Sequence, residues 1–370
     1  MSKSEKIFNF TRPPVLLIGA GISKRYLKDY LGWEDLLRLV AERIGIDNNT
    51  YLAYLAGATD SENYVDLPTV ASEIKDQLIK RIKNGQLNPS TLYTEKELEL
   101  YNGKIDPFKI IVASLCKNEN IKNDVELLEE LDSFKKLKSI IPGIITTNYD
   151  RFLEKNIFTD FKVYSDVSDY YFTDSEGIGE IYKIHGTANM PNSIIITNND
   201  YEMFDKKSKL VTSKILSMMC DYPLVILGYS LDDDNVKKMI NDLMSSLDKT
   251  KIQEIEKNII YVEYLEGESD IKRKSGYFDY EGKRMSISTI CTDNFKGIFD
   301  EVGTMTPSMS PLAIRKARQM VRKIVLSEDC SNHISFIGID RIDDISADKI
   351  VIAFADKETM LRMKRYHLNF

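Results

Sequence analysis

Three short apolar runs constrain the fold of this chain more than any other feature. They are PPVLLIGAGISK at Pro13–Lys24, PGIITTNYD at Pro142–Asp150 and YPLVILGYSLDDD at Tyr222–Asp234. Each is almost continuously apolar, which fits a strand buried on both faces, and each ends in glycine or small polar residues. Helical patterns follow. WEDLLRLVAERI places Trp33, Leu36, Leu37, Val40 and Ile44 on one helix face. DNVKKMINDLMSSL does the same with Val236, Met239, Ile240 and Leu243. Strand, polar turn and helix in repetition predict an α/β architecture, a parallel sheet flanked by helices. GEIYKIHG, NSIIITNND, KNIIYVEYLEG and GKRMSISTIC are further strand candidates, and Glu281-Gly282 resembles a hairpin turn.

Residues from about 47 to 138 carry helical patterns such as VASEIKDQLIKRI and PFKIIVASLCKN, with few strand signals. A crossover between parallel strands needs only about a dozen residues. This stretch is therefore expected to be a helical subdomain inserted into a sheet domain spanning 1–304. After the linker-like GTMTPSMSP, residues 305–370 are expected to form a small C-terminal α/β appendage. It starts with a basic helix over 313–325 that carries Arg315, Lys316, Arg318, Arg322 and Lys323. That helix is either a solvated face paired with acidic neighbours or a contact for an oligomer or a partner.

The 370 residues are 43% apolar and 29% charged, enough for a full core without disulfides. A net charge of −7 argues against bulk electrostatic binding of nucleic acid, so any such role is indirect. Cys116, Cys220, Cys291 and Cys330 are widely separated and form no CxxC pair, so no zinc or other metal site is expected. The start MSKSEKIFNFTRPP has no apolar signal core, and runs such as PLVILGY are too short to span a bilayer. A cytoplasmic location without membrane contact is expected.

Four strand-end motifs carry the chemistry. In GAGIS, Gly19 and Gly21 permit a sharp turn and a close backbone approach that suits a pyrophosphate. The motif is neither a full GxGxxG fingerprint nor a Walker loop, and a plain strand-to-helix turn explains it as well. In TTNYD, Asn148 or Asp150 can cap the following residues, but capping does not account for the whole polar cluster. In YKIHG, His185 sits at a strand end with the side chain best suited to proton exchange near neutral pH, though a lone histidine is often structural. His333 and His367 lack such a context. In LGYSLDDDN, Gly228, Tyr229 and Ser230 can meet phosphate or ribose, and Asp232–Asp234 can cap the next helix.

Taken in this order, GAGIS, TTNYD, KIHG and LGYSLDD resemble the sirtuin fold, and closely the sirtuin-like NADase domains of bacterial antiphage defence proteins. The resemblance covers about Pro13 to Phe299. It implies a Rossmann-like sheet binding NAD+ across its strand ends. Gly19, Ala20, Gly21 and Ser23 would contact phosphates and ribose, Asn148 and Asp150 would flank the nicotinamide ribose and carboxamide, His185 would face that ribose, and Gly228 and Ser230 would line the adenosine side. The chain departs from sirtuin deacetylases in three ways. It lacks the zinc cysteines, has Thr147 where their motif has Gln, and has KRYLKDYLGW where their cofactor loop lies. The sirtuin-like defence proteins share these departures. The implied activity is NAD+ hydrolysis to nicotinamide and ADP-ribose, a cyclic product being the variant, with Asn148 and His185 catalytic and NAD+ as substrate. The implied biology is depletion of NAD+ in abortive infection, switched on by homo-oligomer assembly, a HerA-type ATPase partner or a phage-derived activator. The alternatives are a silent NAD+ or ADP-ribose sensor, an interaction subunit of a HerA-type translocase complex, and a protein deacylase.

Overall fold

A computed structural model describes residues 7–326, apart from 118, 167–174, 231–233, 246, 281–282, 306 and 308. Its centre is an eight-stranded sheet: β1 Val15–Ile18, β2 Gly143–Thr146, β3 Lys162–Tyr164, β4 Glu180–Lys183, β5 Leu224–Leu227, β6 Ile259–Tyr264, β7 Lys272–Tyr280 and β8 Lys283–Thr292. The spatial order is β3-β4-β2-β1-β5-β6-β8-β7. Every pairing is parallel except the β7–β8 hairpin. From β1 the chain first builds outward on one side through β2, then returns to add β5 on the other. That reversal opens a crevice at the strand carboxyl ends, where open α/β sheets bind ligands.

Register brings the four motifs together. Ile18 pairs with Thr146 and with Leu227, and Thr146 pairs with Lys183. The residues that follow these four positions, Gly19, Thr147, Ile184 and Gly228, therefore leave the sheet at one edge.

The continuous apolar strands cover both faces of the sheet. Leu16, Ile18, Ile144, Ile181, Val225 and Leu227 pack on one face with Leu131 and Phe134 of helix Val125–Lys136 and with Phe295, Ile298 and Phe299 of helix Phe295–Gly303. Val15, Leu17, Ile145, Leu224 and Ile226 pack on the other with Ile215 and Met219 of helix Asn198–Asp221 and with Val236 and Ile240 of helix Asp234–Ser245. The alternation follows the two-residue period of a strand. Burying each of these side chains contributes about 1.5–3 kcal/mol.

Helices Asn48–Gly57, Leu67–Lys83, Glu95–Asn102 and Pro107–Leu115 lie between β1 and β2. They share an apolar core with helix Trp33–Arg43, whose Leu36, Leu37, Val40 and Ala41 are buried. The expected strand in NSIIITNND does not form. Pro191–Ser193 make a 3-10 turn, residues 194–196 join no sheet ladder with Ile194 and Ile196 buried in the helical core, and helix Asn198–Asp221 starts at a Thr197–Asp200 capping box. Burial in a helical layer gives this run the same apolar signature as a strand.

KRMSISTICT forms β8, and the hairpin joining it to β7 has its Glu281-Gly282 turn outside the described residues. The expected basic helix is Pro311–Leu326, and the rest of the expected C-terminal appendage, with His333 and His367, also lies outside them. Arginines of this helix meet the segment that leads into β4. Arg315 donates to the Gly179 carbonyl at 3.3 Å, Arg318 donates to the Glu176 carbonyl at 2.5 Å, and Arg322 lies 3.8 Å from the Glu176 carboxylate. No helix among the described residues is long and apolar enough to cross a membrane.

Candidate active site

The glycines of the first and last motifs let two turns touch. Gly19 N–H donates to the Leu227 carbonyl and Gly21 N–H to the Gly228 carbonyl, both at 2.8 Å. A Cβ on Gly19 would lie 2.5 Å from the Gly228 oxygen, and one on Gly21 2.9 Å from the Gly228 Cα. Gly228 itself has φ +72°, and a Cβ there would lie 2.6 Å from the Ile22 nitrogen. These positions need glycine because backbone meets backbone.

The TTNYD turn is tied to that floor. Thr146 Oγ1 donates to the Ile18 carbonyl at 2.7 Å and accepts from Asn148 N–H at 3.1 Å. Asn148 Nδ2 donates to the Gly19 carbonyl at 3.1 Å and to Ser23 Oγ at 3.0 Å. A carbonyl can only accept, so the amide orientation is fixed by its partner. Asn148 Oδ1 is then left buried without a hydrogen-bond partner among the described residues. A buried unpaired acceptor costs about 1–3 kcal/mol, so this atom is one that a bound molecule could satisfy.

Asp150 is divided between two roles. Its Oδ1 accepts from Phe152 N–H at 2.9 Å, just before the short wide helical turn Leu153–Ile157, whose N-cap is Phe152. Its Oδ2 is buried without a partner among the described residues. Lys183, 1% exposed at the end of β4, donates to the Asp150 carbonyl and pairs with Glu154 at 3.1 Å. This buried cation holds the turn in place, and sequence reading missed it.

His185 follows two residues later and is 3% exposed. Its ring stands edge-on to Tyr201 and Phe204, at centroid distances of 5.6 and 5.5 Å. Burial disfavours the charged form and lowers its pKa to about 4. The imidazole is thus neutral near pH 7. Gly186 has φ +83° and a Cβ there would fall 2.1 Å from the Ser193 carbonyl, so the chain can turn sharply after the histidine.

Ala20, Asn148, Asp150, His185, Gly228 and Ser230 border one cavity of about 900 Å³, near the upper end of the 300–1,000 Å³ usual for ligand pockets. Gly19, Gly21 and Ser23 stand behind that wall. Ser23 is fully buried and holds Asn148 rather than reaching the cavity. The cavity is also bordered by segments outside the four motifs: Tyr30 and Trp33 after the first helix, Tyr64 to Pro68 in the helical layer, Cys116, and Tyr201. Burial, then the nearby Asp150, raises the Tyr30 phenol well above its usual range, and burial pushes the Cys116 thiol up to about 12. Tyr229 closes the floor, its hydroxyl 3.0 Å from Thr147 Oγ1. Tyr229 was a candidate contact in LGYSLDDDN, Tyr30 and Trp33 lie in the KRYLKDYLGW stretch, and Tyr64 to Pro68 and Tyr201 had no such signal. No group of three or more metal-ligating side chains occurs among the described residues.

Two buried acceptors among the residues that border the cavity, Asn148 Oδ1 and Asp150 Oδ2, have no hydrogen-bond partner among the described residues. Residues 142–282 match the model of the SIR2-like domain, a span that includes TTNYD, KIHG and LGYSLDD. An NAD(+) hydrolase ThsA of Bacillus cereus (strain MSX-D12) is 22% identical over 76% of this chain and 52% of its own length. One of Enterococcus faecium is 23% identical over 64% of this chain and 48% of its own. One of Cytobacillus dafuensis is 27% identical over 53% of this chain and 38% of its own. The chain thus spans about half or less of the length of the curated relatives it matches. The sirtuin-like resemblance carried by the four strand-end motifs is met by a SIR2-like domain match and by NAD(+) hydrolase relatives at low identity.

Proposed function

We propose that this chain is an NAD+ hydrolase that cleaves the nicotinamide–ribose bond. The observation that carries the reading is that Asn148, Asp150 and a neutral His185 border the same cavity as Ala20, Gly228 and Ser230. The names of the relatives support it. Departure of nicotinamide leaves an oxocarbenium-like ribosyl centre, so the site has to hold the leaving group, place a water and take up a proton. Asp150 holds the nicotinamide end. Asn148, its amide nitrogen fixed by Gly19 and Ser23, presents Oδ1 to orient the ribose or the attacking water. His185 accepts the proton from a ribose hydroxyl or from that water. The products are nicotinamide and ADP-ribose.

The sheet domain with its helical layer is the proposed catalytic unit. Residues 305–370 are the proposed contact for an oligomer or partner. In the cell we assign it to the cytoplasm as an antiphage effector that depletes NAD+ once assembled or activated. Nicotinamide release by purified protein, alone and with its assembly partners, tests the chemistry. Asn148→Ala and His185→Ala should each lower turnover at least 100-fold with folding retained. Full activity in both variants refutes the site assignment. Bound NAD+ without product in every assembly state instead makes the chain a sensor. Chromatography of the products separates linear from cyclic ADP-ribose.

A further inference from the structure

The TTNYD turn and the segment that carries His185 are laced together along their length. Ile184 N–H donates to the Thr146 carbonyl and Ala188 N–H to the Tyr149 carbonyl, both at 2.9 Å. Ile195 joins the two segments again. Its carbonyl accepts from the Tyr149 hydroxyl at 2.6 Å, and its N–H donates to the His185 carbonyl at 3.1 Å. On the histidine side each of these links is backbone. One further link is a side chain: Lys183 Nζ donates across to the Asp150 carbonyl. Lys183 and Ala188 therefore bracket His185 in sequence and grip adjacent carbonyls, those of Asp150 and Tyr149.

Stability alone gives a poor account of a lysine at this position. Lys183 is 1% exposed, and its ion partner Glu154 lies at 3.1 Å. Glu154 Oε2 is itself buried without a hydrogen-bond partner among the described residues. Desolvating two charges is costly, and well-packed apolar residues in place of such a pair are often as stable or more so. What the ammonium supplies that a methyl group cannot is a directed bond to the turn. Its charge is also felt at the border of the cavity. Burial and then Asp150 push the Cys116 thiol up, Lys183 pulls it down, and Cys116 borders the cavity. Lys183 itself is not among the residues that border it.

We infer that Lys183 is a positioning residue: by holding the Asp150 carbonyl it fixes the spacing between Asn148 and Asp150 on one segment and His185 on the other, with Glu154 holding the ammonium in place. The inference rests on the hydrolase reading, because it assigns Lys183 to that reaction. There the nicotinamide end is held from the TTNYD turn and the proton is taken up from the KIHG segment. A shift of one segment against the other misaligns the two events without emptying the cavity.

The test compares nicotinamide release from NAD+ by three intact proteins: the parent, Lys183→Met, and Lys183→Met combined with Glu154→Leu. Urea denaturation is run on the same preparations. The double variant should unfold at a urea midpoint within about 0.5 M of the parent. Its kcat should nonetheless be lower by about 100-fold, the cost of a misplacement of about 1 Å, with KM for NAD+ within about threefold. Lys183→Met alone should show the same loss of kcat at a lower midpoint. A purely structural role predicts the opposite, parental kcat wherever the stability of the parent is restored. A double variant with parental kcat therefore overturns the inference and leaves the hydrolase reading standing. A rise in KM at unchanged kcat also overturns it, since that is loss of binding rather than of alignment. A double variant that does not fold shows that the pair serves the fold, and overturns it as well. A parent without turnover in any assembly state removes the hydrolase reading, and this inference with it.

Discussion

Replacing His185 with glutamine should change how stability depends on pH, and the size of the effect follows from burial. The histidine is 3% exposed and its pKa falls from the usual 6.5 to about 4 in the folded chain. Folding therefore favours the neutral form. As the pH drops below 6.5, the unfolded chain takes up a proton that the folded chain refuses until about 4. The unfolded state binds more protons in that window, so stability is full above it and is lost as pH falls through it. The complete loss is about 3 kcal/mol, from roughly 1.4 kcal/mol per pKa unit. About 2 kcal/mol of it should be gone by about pH 5. Glutamine carries no titrating proton. Urea denaturation followed by helix circular dichroism, at about pH 8 and about pH 5, should show the parent losing about 2 kcal/mol more than His185→Gln. The other histidines are present in both proteins and cancel. A difference under about 0.5 kcal/mol would mean that the imidazole is solvated or paired in the folded state, and the neutral-base argument for catalysis would fall with it.

Three other perturbations probe the frame of the site. Ser23→Ala removes one of the two acceptors that hold the Asn148 amide, so kcat should fall about tenfold for a stability loss of only about 1 kcal/mol, and unchanged turnover would show that the Gly19 carbonyl alone suffices. Gly228→Ala places a methyl group against the Ile22 backbone at a left-handed position and should cost at least about 2 kcal/mol; a thermal midpoint shifted by less than about a degree would contradict the close approach of the two turns. Lys183→Met leaves Glu154 without its buried partner and should destabilise by about 3 kcal/mol, with Lys183→Met combined with Glu154→Leu recovering much of it; an additive double variant would show that the pair is not coupled.

The parallel sheet was legible because strands buried on both faces leave little choice of residue. Val15–Ile18, Gly143–Thr146 and Leu224–Leu227 read as strands for that reason, and their register follows once they align. The same logic failed at Ile194–Ile196, where burial came from a helical layer and a single backbone bond, Ile195 N–H to the His185 carbonyl, does not make a strand. Among the site residues, Asn148, Asp150 and His185 were legible as polar groups in apolar strand-end contexts. Ser23 was legible as a site residue, but its role was not, because a side chain one turn into a helix reaches the cavity or a neighbouring amide depending on tertiary packing. Tyr64, Asp66 and Tyr201 come from helix starts, turns and connections whose sequences look like ordinary surface, whereas Tyr30 lies in the KRYLKDYLGW stretch at the cofactor-loop position. Only the fold shows that they face the strand ends. Lys183 was hidden by its setting inside an apolar strand motif, where the side chain's long stem packs as hydrocarbon and its tip finds a carbonyl and a carboxylate.

The chain has a single tryptophan, and Trp33 borders the cavity. Its ring lies 6.5 Å from that of Tyr149, the residue after Asn148, and 6.4 Å from that of Tyr201, which stands edge-on to His185. The tryptophan emission of this protein, excited at wavelengths that tyrosine does not absorb, therefore comes from one indole packed against a neighbour of each half of the proposed catalytic pair. Ligand arrival and displacement of either half can be followed in real time by that light alone, with no label attached and no other indole to obscure it.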